Sequence, residues 1–160
     1  MMNLYMKQRV FSWGDKFYIY DSAGNPKYSV EGEVFSFGKK LHLYDQNGNE
    51  LAFIQQKLFS WLPKYYISRP GYGDLEVVKE FTFFRPSYRV PALNWSVQGS
   101  FWEHSYEISD GLKSVATVSK EWFTFGDAYQ ISIGSYEDEI PVLAVVLVID
   151  ACIEAQQRNN

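Results

Sequence analysis

The chain has 160 residues, of which 46% are hydrophobic, 18% aromatic and 21% charged, and its formal net charge is −4. This balance excludes a disordered chain, and the negative net charge leaves no overall field to attract nucleic acid. A lone cysteine, Cys152, excludes an internal disulfide, and with only His42 and His104 beside it the ligand count is too low for a metal cluster.

The opening residues, "MMNLYMKQRVF", have no apolar h-region and no small-residue cleavage site, so a cytoplasmic location is expected. From there hydrophobic residues alternate at period two. In "LNWSVQ", for example, Leu93, Trp95 and Val97 share one face and Asn94, Ser96 and Gln98 the other. The pattern predicts twelve strands, near 4–11, 15–21, 26–34, 39–45, 50–58, 64–69, 74–83, 87–91, 93–100, 103–109, 112–121 and 127–133. The high share of Tyr, Phe and Trp suits strands.

Two kinds of turn alternate between them. "YDSAGNP" and "YDQNGNE" follow the second and fourth strands, with Asp21, Gly24 and Asn25 matching Asp45, Gly48 and Asn49, and "SDG" at 109–111 is a shorter relative. Asp, Asn and Gly supply the positive φ and the side-chain-to-backbone bonds of tight hairpins. A calcium loop starting at Asp45 fails, because its sixth position is Glu50 instead of Gly and its twelfth is Gln56 instead of Glu. "PGYGD" at 70–74 has no helix after it and is a turn, not a phosphate loop.

The other kind of turn is a repeated phrase. It reads "FSWGDKFYIYD" (11–21), "FSFGKKLHLYD" (35–45), "FSWLPKYYI" (59–67), "FTFFRPSY" (81–88), "GSFWEHSY" (99–106) and "FTFGDAYQI" (123–131). These are copies of one strand pair, each joining an odd strand to the next even one. If the strands run up and down in order, all six turns lie at one end. Twelve strands expose two edges unless they close, and a closed barrel of twelve has more interior than wall side chains can fill.

The C-terminal "SYEDEIPVLAVVLVIDACIEAQQRNN" provides the filling. Ile140 to Ile149 carry no polar side chain, Glu137, Asp138 and Glu139 complement the positive end of a helix dipole, Pro141 suits a first turn, and Arg158 lies beyond the far end. A helix over roughly 137–156 is predicted, apolar all round and therefore enclosed in a core or in lipid. The stretch Ile140–Ile153 spans about 21 Å and is interrupted by Asp150, whereas a bilayer needs about 20 apolar residues for its ~30 Å core. A core helix is the expectation. The fold class is mainly β, a closed twelve-stranded antiparallel barrel around that helix, and residues 1–160 are expected to form one domain.

This order of elements, carried by "FSWGDKFYIYDSAGNPKYSV", "FSFGKKLHLYDQNGNELAFIQQK", "WSVQGSFWEHSYEI" and "IPVLAVVLVIDACI", resembles the LURP-one-related branch of the tubby C-terminal-like superfamily over essentially the whole chain. Phospholipid scramblases are relatives. The resemblance implies the threaded barrel; tubby proteins bind phosphoinositides through a basic cleft, and no residue of that lipid-binding motif carries over to this chain. The chain lacks the proline-rich leader, cysteine-rich stretch and spanning segment of the scramblases, so scrambling is not expected.

Enzyme chemistry lacks its components. Ser105 beside His104 would point to the opposite face of a strand, and His42 lies opposite Leu41 and Leu43 as an exposed structural histidine. Cys152, among apolar or acidic neighbours, reads as a buried small side chain, and no cofactor is expected. The remaining candidate is the end bearing the repeated turns. Turns two to four contribute Lys39, Lys40, Lys64, Arg85 and Arg89, with Trp61 and Phe84 beside them, while turns one, five and six carry Asp15, Glu103, Glu121 and Asp127. Lysine and arginine next to aromatic rings suit an anionic phospholipid or membrane surface, and the expected mode is peripheral, not transmembrane. The other expectation is a protein-interaction or regulatory domain using exposed Tyr18, Tyr20, Tyr65 and Tyr66.

Overall fold

The computed structural model describes residues 1–7, 16–33, 37–82, 84–123 and 126–158, with the backbone alone for 121–123, 126 and 127. The first copy of the repeated phrase through Asp15, and the side chains of Glu121 and Asp127, lie outside the described residues. Twelve strands are found among those described: β1 (Met2–Lys7), β2 (Lys16–Tyr20), β3 (Pro26–Gly32), β4 (Lys40–Tyr44), β5 (Glu50–Gln56), β6 (Lys64–Ser68), β7 (Leu75–Thr82), β8 (Arg85–Val90), β9 (Trp95–Ser100), β10 (Ser105–Asp110), β11 (Lys113–Phe123) and β12 (Gly126–Ile133). Each pairs antiparallel with its neighbour in sequence, and β1 closes the barrel on β12, with Met2 opposite Ile133 and Lys7 opposite Ala128. The up-and-down order puts every odd-to-even connection at one rim, as the repeat predicts.

The opposite rim is set by the Asp/Asn/Gly turns. Asp21 Oδ1 accepts the N–H groups of Ala23 and Asn25, and Asp45 Oδ1 accepts those of Asn47 and Asn49, each at 2.8–2.9 Å. Gly24 and Gly48 follow at φ +84° and +83°, where a side chain is strained. The hydrogen bonds from Asn49 hold the Asp45 carboxyl below its ordinary value. Those oxygens are committed to the turn.

Helix α1 (Glu139–Arg158) enters at this rim and leaves at the other. It starts two residues later than the composition suggests, because Ser135 and residues Tyr136–Asp138 form a 3-10 turn first, with Ser135 Oγ accepting the Glu137 N–H at 3.3 Å. Pro141 lies in the first turn, where a missing N–H breaks no helical bond. Glu139 stands in the first turn, as the dipole expectation has it, and also has partners across the barrel wall. It is 7% exposed, accepts the Tyr28 hydroxyl, and pairs with Lys27 at 2.9 Å. Burial and that carboxylate push the Tyr28 hydroxyl well above its ordinary value, so it stays a donor. Arg158 lies inside the last turn and pairs with Glu154 at 2.6 Å.

From Pro141 to Ile149 every helical residue is buried, whichever way it points. The wall supplies the enclosure: Leu4, Ile19, Val30, Leu41, Leu43, Ile54, Ile67, Val77, Val90, Val97, Ile108, Ile131 and Ile133 are all at most 1% exposed. Each aliphatic side chain so buried contributes about 1.5–3 kcal/mol. Truncating Leu147 to Ala at the centre of the helix should cost about 2–5 kcal/mol, read as a lowered denaturant midpoint. Gly99 is the most crowded of the described glycines, at φ +144° with Ser105 O and Tyr106 Cα 2.5 and 2.6 Å from where a Cβ would stand. Gly99→Ala should destabilise by about 1–3 kcal/mol through overpacking alone, with the left-handed backbone adding to it.

Candidate functional site at the rim of repeated turns

The even strands begin at this rim, and near its start each turns inward a side chain of the repeated phrase: Phe17, Leu41, Tyr65, Tyr88, Tyr106 and Tyr129, all buried. The four tyrosines meet the C-terminal half of α1. Tyr65 and Tyr88 present their hydroxyls to the Cys152 thiol, and Tyr129 donates to Asp150 Oδ2. Burial pushes the Tyr65, Tyr88 and Tyr106 hydroxyls up, so all remain protonated. It also pushes the Cys152 thiol up against opposing pulls from Tyr88, Lys79 and Tyr65.

His104 joins this layer from the fifth turn. Its ring stacks on Tyr129 at 4.4 Å and 3°, and its Nδ1 stands 4.0 Å from Asp150 Oδ1, beyond hydrogen-bond reach. Burial first, then the Lys120 ammonium, hold the imidazole below its ordinary value of 6.5. Its backbone is left-handed at φ +51°. The fourth position of the repeated phrase is Gly38 at φ +77° in the second copy and Phe84 at +65° in the fourth, whereas in the fifth it is Trp102 and the left-handed residue is His104, two positions on. A side chain in that conformation costs about 1–2 kcal/mol relative to glycine.

The outer edge of the rim is apolar. Phe37, Phe59, Trp61, Phe81, Phe84 and Trp102, from turns two to five, are 50–104% exposed, with Trp61 at 99% and Phe84 at 101%. These turns are neighbours around the barrel. Three of the five predicted cations are already engaged: Lys39 with Glu154 at 3.2 Å, Lys64 with Glu76 at 3.1 Å, and Arg89 with Glu80 at 3.6 Å. Lys40 and Arg85 form no ion pair with a described residue. Lys64 and Lys40 lie on the outer faces of β6 and β4, and Arg85 opens β8 opposite Thr82. Tyr65, read from sequence as an exposed aromatic, is 2% exposed and faces the helix, because it shares the inward face with Ile67. Tyr18 is 40% exposed, and Tyr20 and Tyr66 are half-buried. His42 is less exposed than expected, held between Glu50 and Glu33 with its ring on Phe53 at 4.7 Å.

Sequence reasoning missed Lys79, which is 5% exposed, and the Asp150–His104–tyrosine layer. Both had a signal. Lys79 continues the inward series Leu75, Val77, and Asp150 is the charge inside the apolar helix. Among the described residues no group of three His, Cys, Asp or Glu could hold a metal ion, and no helix is long and apolar enough to cross a membrane.

Fold and rim together define a closed barrel clamped on a buried helix, with a polar layer beneath one aromatic-edged mouth. The LURP-one-related family profile matches residues 2–150, and the chain belongs to that family. It is 39% identical over 150 residues to the Bacillus subtilis (strain 168) protein YxjI, described as uncharacterized, covering 94% of this chain and 93% of that one. An X-ray structure of an Arabidopsis thaliana protein, AT5G01750, shares the fold with a TM-score of 0.63 at 18% identity, over 93% of this chain and 90% of that one.

Tyr129→Phe should lower stability by about 1.5–3 kcal/mol, since it removes a buried hydrogen bond to a carboxylate. His104 gives a pH signature of known sign. Its folded value is depressed, so stability is full above 6.5 and falls as pH drops from there through the folded value, where the unfolded chain binds the proton more readily. Denaturant midpoints measured across that range should flatten in His104→Asn, which tolerates the left-handed backbone.

Proposed function

We propose that this protein is a non-enzymatic membrane-surface-binding module that docks through the rim of repeated turns, with lipid of net negative charge as its partner. The observation that carries this reading is the exposed aromatic edge. Phe59 and Phe84 are fully exposed and also hold left-handed backbones, two costs at one place that folding alone does not repay. Aromatic rings favour the headgroup boundary, and each basic residue near an anionic surface adds about 1 kcal/mol. Lys40 and Arg85 are the cations of the original sector with no ion pair among the described residues. Lys39, Lys64 and Arg89 serve the surface only by exchanging a carboxylate for a headgroup, and Trp61 is an insertion residue.

Co-sedimentation with vesicles of phosphatidylcholine, with and without phosphatidylserine, tests the reading. Wild type should pellet more with the anionic vesicles and less as salt rises. The double substitution Phe59→Ser, Trp61→Ser should weaken pelleting at least tenfold, given about 1.5–3 kcal/mol for each large apolar side chain buried. Phe84→Gly should weaken binding while raising the denaturant midpoint, by about 1–2 kcal/mol of relieved backbone strain. Equal pelleting by wild type and all rim variants, or no pelleting of wild type, contradicts the proposal.

A further inference from the structure

The strand alternation that turns Leu75 and Val77 into the lumen also turns in Lys79, the one buried lysine or arginine among the described residues. Lys79 lies opposite Tyr88 in the β7–β8 ladder, two residues before Phe81 of the aromatic edge. Its Nζ is 5.8 Å from the centre of the Phe81 ring and has no hydrogen bond or ion pair with a described residue. The carboxylates at this end of α1 are committed elsewhere. Glu154 is held by Lys39 and Arg158, and Asp150 accepts from Tyr129. The Cys152 thiol nearby is no counter-charge, because burial keeps it protonated. Lys79 as a whole is 5% exposed, and an ammonium at the barrel mouth with no anion beside it gains a charge-assisted hydrogen bond when an anion arrives.

We propose that Lys79 is the anion anchor of the rim, binding a phosphate group that enters the barrel mouth between the rings of Phe81 and Phe84. This inference rests on the membrane-docking reading and adds its chemical specificity: a phosphate, carried by a lipid headgroup or by a soluble phosphate ester. Lysine suits the role as a compact point charge with three donors. Phe81 lies beside the ammonium and supplies its ring face until the anion arrives. The site differs from the sector read from sequence, where Lys40, Lys64 and Arg89 lie on the outer face of the wall and Lys39 is taken by Glu154.

The test uses the full chain, Lys79→Met, Lys79→Arg, and Lys113→Met as a control at the opposite rim. Vesicles of phosphatidylcholine alone are compared with vesicles that also contain phosphatidic acid, and inorganic phosphate is titrated without lipid while the Lys79 side-chain NMR signal is followed. Lys79→Met should lose at least tenfold of the preference for phosphatidic acid, keep the weak binding to phosphatidylcholine, and unfold at no lower denaturant than wild type. Lys79→Arg should retain the preference, and Lys113→Met should match wild type. If Lys79→Met keeps the preference, or loses binding to both vesicle types together with stability, the inference fails while rim docking stands. If wild type binds no vesicle, rim docking fails. A phosphate-dependent shift of the Lys79 signal then assigns the anchor to a soluble phosphate ester, and an unmoved signal overturns it.

Discussion

Nine successive helical residues, Pro141 to Ile149, are buried in every direction, and no single neighbouring surface can do that to a helix. Only a closed container can, and a twelve-stranded barrel is wide enough to need such a filling. Helix and barrel therefore require each other. The inward residues of twelve short strands have no partner without α1, and α1 has no place in water without them.

An apolar helix in an apolar tube could slide or rotate at little cost, and the polar groups oppose this. Glu139 is fixed at one end by Tyr28 and Lys27, and Asp150 and Cys152 meet hydroxyls from alternate strands near the other. These contacts set the axial position of the helix, in the way buried polar pairs specify register elsewhere. They also explain why the phrase recurs. Its aromatic position builds the layer that grips the helix, and its turn closes the hairpin. The copies that depart from it, with Phe84 in the glycine position of one and His104 left-handed in the turn of another, carry a backbone cost that the scaffold does not require.

Most of the architecture was legible because two periods were plain: alternation within strands and recurrence of a strand pair. The all-round apolar run identified the helix and its burial. The site was legible only in outline. Lys39, Lys64 and Arg89 stand where the repeat puts them, but their carboxylate partners come from α1 and from β7, and no local pattern announces those meetings. Tyr65 and Lys79 were readable from face parity alone, since Ile67 and Val77 share their faces. The full exposure of Phe59, Trp61 and Phe84 depends on turn geometry beyond the strand ends, which alternation does not encode.

One end of the molecule thus combines exposed rings, backbone strain and a buried cation, while the other ends in tight polar turns. Docking by that end implies a defined orientation, with the rim of repeated turns in the interface and the Asp/Gly turns in water. Spin labels at Ser60→Cys in the third turn and Ala23→Cys at the far rim, on vesicles containing anionic lipid, measure this directly by their collision rates with oxygen and with a water-soluble relaxant. The account predicts that the Ser60 label moves into the oxygen-rich lipid phase and the Ala23 label stays aqueous. Equal aqueous exposure of both labels on vesicle-bound protein would contradict it.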